Sequence, residues 1–258
     1  MFNLEARSFR GASGIWQFMR STGVRFLTIN DVVDERNDPI EATLASAKLL
    51  KQNYEKLQSW PLAITAYNHG QTGMFRISQR MNTKDVVKII NEYSSPTFGF
   101  ASKNFYSEFL AAVEVDKNYE KYFGKLKTQE PAHFDTITLD RYIALTSLSY
   151  YTKISKDTYL DLNPGLTAKV SSGIKLLPKG FALRIPKGFE QQFLTRYKNI
   201  PRSHFYAQQS RERYHRVRRG DTLSFVAKRY GITVASLMRA NRLSQVRFIH
   251  IGQVLIIP

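Results

Sequence analysis

The sequence predicts a helical N-terminal half followed by two small α+β units, each of strand–helix–helix–strand order. Three observations predict this. Apolar residues up to about residue 125 recur at helical spacing, with no strand-like alternation. Beyond Pro131 the chain switches to short, alternating, β-branched runs. The order strand, helix, helix, strand then occurs twice, over residues 134–186 and 214–258.

The elements follow in chain order. Asp38 is placed to cap a helix, with Pro39 at its first position and Glu41 three residues after the cap. Ile40, Leu44, Ala47, Leu50, Tyr54 and Leu57 form its expected inner stripe, and Trp60-Pro61 breaks it. Leu62 to Asn68 reads as a short apolar helix that stops near Gly70. Met74 to Arg80 and Lys84 to Tyr93 read as further helices. Ser102 to Phe123 reads as one long helix with Phe105, Phe109, Val113 and Tyr119 or Tyr122 inward. Phe134 to Leu139 and Phe181 to Pro186 are the expected strands of the first α+β unit. In the second, Tyr214 to Val217 opens and Val254 to Ile257 closes. The stretch from Thr158 to Asn163 is matched with Thr233, Leu237 and Asn241. Residues 190–213 are polar, basic and weakly periodic, and read as a linker.

Composition narrows the function. The 258 residues include no cysteine, which excludes disulfide frameworks, thiolate metal sites and thiol nucleophiles. Lys and Arg number 38 against 21 Asp and Glu, a net charge of +17, so the surface should attract polyanions. Eight basic residues (Arg196, Lys198, Arg202, Arg211, Arg213, Arg216, Arg218, Arg219) crowd one stretch, yet no nucleic-acid motif accompanies them. No apolar run reaches the roughly 18 residues a membrane span needs. The first seven residues hold no apolar signal core.

Residues 214–258 resemble a LysM domain. The resemblance is carried by Tyr214, Val217, Gly220-Asp221-Thr222-Leu223, Ala227, Tyr230-Gly231-Ile232-Thr233, Leu237, Asn241 and Ile251-Gly252-Gln253. LysM domains bind glycans that contain N-acetylglucosamine. The resemblance implies glycan contact through Gly220, Asp221, Thr222, Asn241, Arg242 and Leu243. Gly220 would allow a tight turn that presents backbone N–H groups, and Asp221 would cap the next helix. Residues 133–189 read as a degenerate copy, because the turn after their first strand lacks the Gly-Asp-Thr-Leu signature.

Residues 1–125 resemble the lytic transglycosylase domain, of the type that carries C-terminal LysM modules. The matching residues are Phe2-Asn3, Ala6, Ser8, Gly11 through Met19, Thr22-Gly23, Asp34-Glu35-Arg36, Asp38-Pro39 and Ala63-x-x-Ala66-Tyr67-Asn68-x-Gly70. The resemblance implies an all-α, lysozyme-like fold that binds peptidoglycan strands, with neither cofactor nor metal. It implies cleavage between N-acetylmuramic acid and N-acetylglucosamine, with closure to a 1,6-anhydro sugar. One Glu would act as acid and then as base. Ser8, Gln17, Met19, Tyr67, Asn68 and Tyr106 are the implied substrate-groove residues, although strict alignment puts Phe105 at the place of Tyr106.

By the same alignment the acid Glu lies just upstream of Met1, so no catalytic residue is assigned within the sequence. The expected arrangement is therefore a transglycosylase domain over 1–125 lacking its N-terminus, a degenerate module over 133–189, a basic linker over 190–213 and a LysM domain over 214–258. The expectation is a monomer of the cell envelope, with membrane association only through a missing N-terminus. A catalytically inactive peptidoglycan-binding protein is the competing reading. Glu5 lies more than a helical turn from the aligned acid, Glu35 sits in a charged loop that Arg36 and Asp38 should tie together, and His69 reads as a surface residue at a helix end.

Overall fold

A computed structural model describes residues 6–127, 130–209, 213–243 and 249–258. Phe2, Asn3, Glu5, Arg211 and Glu212 lie outside the described residues, and Arg213 is described in its backbone only. The chain divides into two compact units, Met1–Ala42 with Ala132–Pro258, and Thr43–Pro131. This differs from the expected boundary near residue 125. The reason is that residues 29–41 pack into the first α+β copy. Val32 and Val33 belong to its hydrophobic core, together with Ile137, Leu148, Leu177 and Phe193.

The first unit begins with turns and a short helix, α1 (Arg20–Gly23). Asp38 then accepts hydrogen bonds from the N–H groups of Ile40 and Glu41 at the start of α2 (Pro39–Leu57). The helix buries Ala42, Ala45, Ser46, Leu49, Asn53 and Leu57. Of the expected stripe only Leu57 is buried; Ile40 and Leu44 are exposed. The expectation followed the larger side chains. The buried face instead runs through Ala42, Ala45, Ser46 and Leu49.

In the second unit α2 is followed by α3 (Trp60–His69), α4 (Gln71–Arg80), α5 (Val86–Glu92), α6 (Phe100–Lys117) and α7 (Tyr119–Phe123). Pro61 sits in the first turn of α3, where its missing N–H costs no helical bond. Asn53 reaches from α2 to donate to the Ala63 carbonyl at 3.1 Å. The core joins Leu57, Leu62, Ala66, Met74, Ile77, Val86, Ile89 and Phe98. The single long helix expected over 102–123 is two, separated at Asn118. Phe109, Tyr119 and Tyr122 are exposed rather than inward.

The first α+β copy comprises β1 (Phe134–Thr138), β2 (Tyr142–Ile143), α8 (Leu145–Thr152), α9 (Lys156–Leu162), α10 (Ala168–Ser171) and β3 (Ala182–Pro186). β1 pairs antiparallel with β3. The chain then continues into α11 (Glu190–Lys198) and β4 (Phe205–Tyr206), which pairs with β2. The expected linker is thus folded over 190–206. Phe193 and Ile200 are buried, and Tyr197 and Phe205 pack against the same core. Their apolar spacing was hidden among basic residues.

The second copy comprises β5 (Arg213–Arg216), α12 (Leu223–Tyr230), α13 (Val234–Ala240) and β6 (Val254–Ile257), with β5 antiparallel to β6. The two copies share one register. Thr138 faces Ala182 as Arg216 faces Val254. Helices α8 and α12 both end in a left-handed residue, Lys153 and Gly231, and the next helices are capped by Ser155 and Thr233. Counterparts up to Asn163 and Asn241 are therefore 78 positions apart. Ser155, not Thr158, is the counterpart of Thr233, and Tyr159 that of Leu237.

Candidate functional site

The matched glycine-rich stretch is a compact turn built on a buried arginine. Arg36 is 9% exposed. It donates to the carbonyls of Gly11 and Phe18 at 3.0 and 3.2 Å, and binds Asp34 through two further bonds at 2.8 and 2.7 Å. Burial pushes the Asp34 carboxyl up, but the bonds and charge of Arg36 outweigh it and hold the carboxyl below its ordinary value. Ser13 Oγ donates to Asn37 at 2.7 Å. Gly14 closes the turn at φ +77°, where an added Cβ would lie 1.7 Å from the Arg36 carbonyl oxygen. Any side chain there would displace the turn.

This turn presents Gln17. Its backbone is left-handed, at φ +48°. Its Nε2 donates to the carbonyls of Ala6 and Gly14 at 3.1 and 2.7 Å. Both amide protons are thus committed, and what Gln17 offers a ligand is its Oε1 acceptor. Met19 and Ser8 are exposed on the same stretch, and Ser8 Oγ accepts from the Ala12 N–H at 2.9 Å. Glu35 accepts from the Thr28 N–H and is part of the loop, as its sequence context suggests.

In the second unit the end of α3 carries Tyr67, Asn68 and His69. Ser102 Oγ donates to Asn68 Oδ1 at 3.0 Å and lies 3.3 Å from His69 Nδ1. His69 is half-buried, not a surface residue, with its ring edge-on to Phe98 at 5.1 Å. Burial pushes its pKa down, against a hydrogen bond to the Thr97 backbone, which favours the neutral imidazole. Tyr67 is stacked on Phe105 at 6.2 Å, and burial pushes its phenol pKa up. Tyr106 packs against the core cluster instead. The ring beside Tyr67 therefore belongs to Phe105 and carries no hydroxyl. Ser102 and Phe105 join the cluster around Asn68; Ser102 was missed because a serine in a helix has no sequence signal of its own.

In the second copy Gly220 is exposed at φ +91° and makes the expected turn. Asp221 does not cap α12; Thr222 does, accepting from the Phe225 N–H at 3.1 Å. Asp221 instead turns inward. Its Oδ2 accepts from the Arg218 N–H at 2.7 Å and from His215 Nε2 at 2.8 Å, and these bonds hold its pKa below the ordinary value. His215 Nδ1 lies 3.2 Å from the Tyr230 hydroxyl. Asn241 is spent inside the module, on the backbone of Leu237 and Ile256. Leu243 packs against the core. Gly220, Thr222 and Arg242 are the exposed members of the expected set. Among the described residues no group of three or more His, Asp or Glu could hold a metal ion, and no helix is long and apolar enough to cross a membrane.

Residues 1–89 match the transglycosylase SLT domain, and residues 215–258 match the LysM domain. The chain is similar to the membrane-bound lytic murein transglycosylases D of Escherichia coli strain K12 and of strain O6:H1. Each is 24% identical over 255 aligned residues, covering 94% of this chain and 54% of the relative. The chain thus spans about half the length of these relatives. Its N-terminal stretch matches the transglycosylase SLT domain and its C-terminal stretch the LysM domain, in a chain distantly similar to membrane-bound lytic murein transglycosylase D.

Proposed function

We propose that the protein is a peptidoglycan lytic transglycosylase of the cell envelope. It cleaves the β-1,4 bond between N-acetylmuramic acid and N-acetylglucosamine, closes the muramyl 6-hydroxyl onto C1, and is held to its substrate by the LysM module. The observation that carries this reading is that both domain matches occur in a chain aligned over 94% of its length with a lytic murein transglycosylase. The individual side chains fit the chemistry. Gln17 offers an oriented acceptor, Asn68 an amide at a helix end, and Tyr67 a ring and a phenol, groups suited to N-acetyl substituents and sugar faces.

A second reading, a wall binder without cleavage, is favoured by one specific observation. Each of the five carboxylates between residues 6 and 42 is already bound. Asp31 pairs with Lys169, Asp34 with Arg36, Glu35 with the Thr28 N–H, Asp38 with its helix and Arg184, and Glu41 with Arg184. A general acid needs a proton to give and an apolar setting that raises its pKa. The transglycosylase reading therefore takes its acid from outside this segment. Digestion of purified sacculi, followed by mass spectrometry of the soluble muropeptides, separates the readings. Anhydro-muropeptides support cleavage; wall binding without them supports the binder.

A further inference from the structure

We propose that the first α+β copy is a brace and not a glycan module. Its ligand face is filled by the chain's own residues 190–206, and its strand residue Arg184 holds the loop that shapes the Gln17 turn. The proposal rests on the LysM reading only in taking the Gly220 turn as the ligand face.

The 78-residue correspondence places Tyr142-Ile143-Ala144 where the second copy has Gly220-Asp221-Thr222. In the second copy Gly220 and Thr222 are exposed. In the first, Ile143 is fully buried. Its N–H donates to the Leu177 carbonyl at 3.1 Å, and its carbonyl accepts from the Leu177 N–H at 2.8 Å. On its other side Tyr142 and Ile143 pair with Tyr206 and Phe205 of β4. The backbone groups that an open turn offers to a sugar are thus consumed, and Phe193 of α11 and Ile200 after it share the core of Ile143.

The same copy grips residues 31–41. Arg184, the counterpart of Ile256, binds Asp38 at 2.6 Å and Glu41 at 3.1 Å. Its side chain is 12% exposed and that of Asp38 is 8% exposed, so the pair is shielded from water. The loop from Asn163 to Gly180 is six residues longer than its counterpart from Asn241 to Gly252. The start of this loop supplies more grips. The Gly165 carbonyl accepts from the Asp34 N–H at 2.7 Å, the Thr167 N–H donates to the Val32 carbonyl at 2.9 Å, and Thr167 Oγ1 donates to the Asp31 carbonyl at 2.6 Å. Asp38 and Asp34 flank Arg36, whose guanidinium carries Gly11 and Phe18. The brace therefore acts on the Gln17 turn through Arg36.

Hydrogen exchange on the whole protein tests this without any sugar, so its failure is distinct from failure of the transglycosylase reading. Arg184→Ala should speed exchange of the Ser13, Gly14, Gln17, Asp34 and Glu35 amides by about tenfold or more, with Val226 and Leu237 unchanged. Arg184→Lys should fall between the two, since lysine keeps the charge but not the fork. Thr167→Val, which removes one grip and leaves the ion pair, should act on the same amides more weakly and carries the test if Arg184→Ala does not fold. Binding to sedimented cell wall should be the same for Arg184→Ala and the parent protein. Faster exchange confined to residues 182–186, or wall binding reduced by Arg184→Ala, would overturn the proposal.

Discussion

Asn163 and Asn241 make the same three hydrogen bonds. Each Nδ2 donates to the carbonyl four residues back, Tyr159 or Leu237, at 2.8 Å. Each also donates to a strand carbonyl, Arg184 or Ile256, at 2.8 Å. Each Oδ1 accepts from the N–H of that strand residue, at 2.9 and 2.7 Å. One side chain thus clasps the end of a helix to the closing strand in both copies.

Removing either clasp should cost a comparable amount. Asn163→Ala and Asn241→Ala each leave a strand N–H and carbonyl without a partner, worth about 1–3 kcal/mol per unsatisfied buried group. Urea unfolding should show losses of similar size for the two variants. A loss at Asn163 with none at Asn241 would mean that the second asparagine is kept for ligand contact rather than for the fold.

The two copies solve one buried position in opposite ways. His215, Asp221 and Tyr230 correspond to Ile137, Ile143 and Thr152. His215→Ile or Asp221→Ile alone breaks a hydrogen-bonded pair and strands its partner. The double variant His215→Ile/Asp221→Ile restores the apolar solution of the first copy and should be more stable than either single. Thermal melts of the four proteins give the coupling directly.

Gly14→Ala should release the Gln17 turn. The added methyl group would lie 1.7 Å from the Arg36 carbonyl oxygen, on backbone at φ +77°. A cost of about 3 kcal/mol or more is expected from the combined clash and backbone strain. Exchange of the Ser13 and Gln17 amides should rise well before global unfolding. Unchanged exchange there would show that Arg36 does not anchor the turn.

The Asp34–Arg36 pair sets a pH dependence. The folded pKa of Asp34 lies below the unfolded value, so its contribution is fully present above the unfolded pKa and is lost as pH falls through the folded one. Asp34→Asn should therefore melt lower than the parent protein at about pH 6, with the gap closing towards about pH 2.5. A gap that stays constant over this range would remove the ion pair as its cause.

Much of this was legible in the sequence where local chemistry dictates geometry. The Asp38 cap, the Gly220 turn and the closing strand at Val254–Ile257 follow from residue type and spacing. The inner face of α2 was not legible, because small Ala42, Ala45 and Ser46 are buried while larger Ile40 and Leu44 stay exposed. Helix α11 and the turn after it were hidden because Phe193, Tyr197 and Ile200 stand among charged residues that read as solvated chain. Of the expected site residues, residue types marked Gln17 and Asn68, but only packing showed that both Gln17 amide protons are spent and that Phe105 stacks on Tyr67.

On the proposed function, the Gly220 turn holds the protein to peptidoglycan. Sedimentation of the whole protein with purified sacculi, for the parent and Gly220→Val, tests it most directly. Valine at φ +91° strains the turn without entering the core, so exchange of the buried Leu237 amide serves as a check that the module still folds. Wall affinity should fall by about tenfold or more with the Leu237 amide still protected. Parent-like binding by a folded Gly220→Val protein would contradict it.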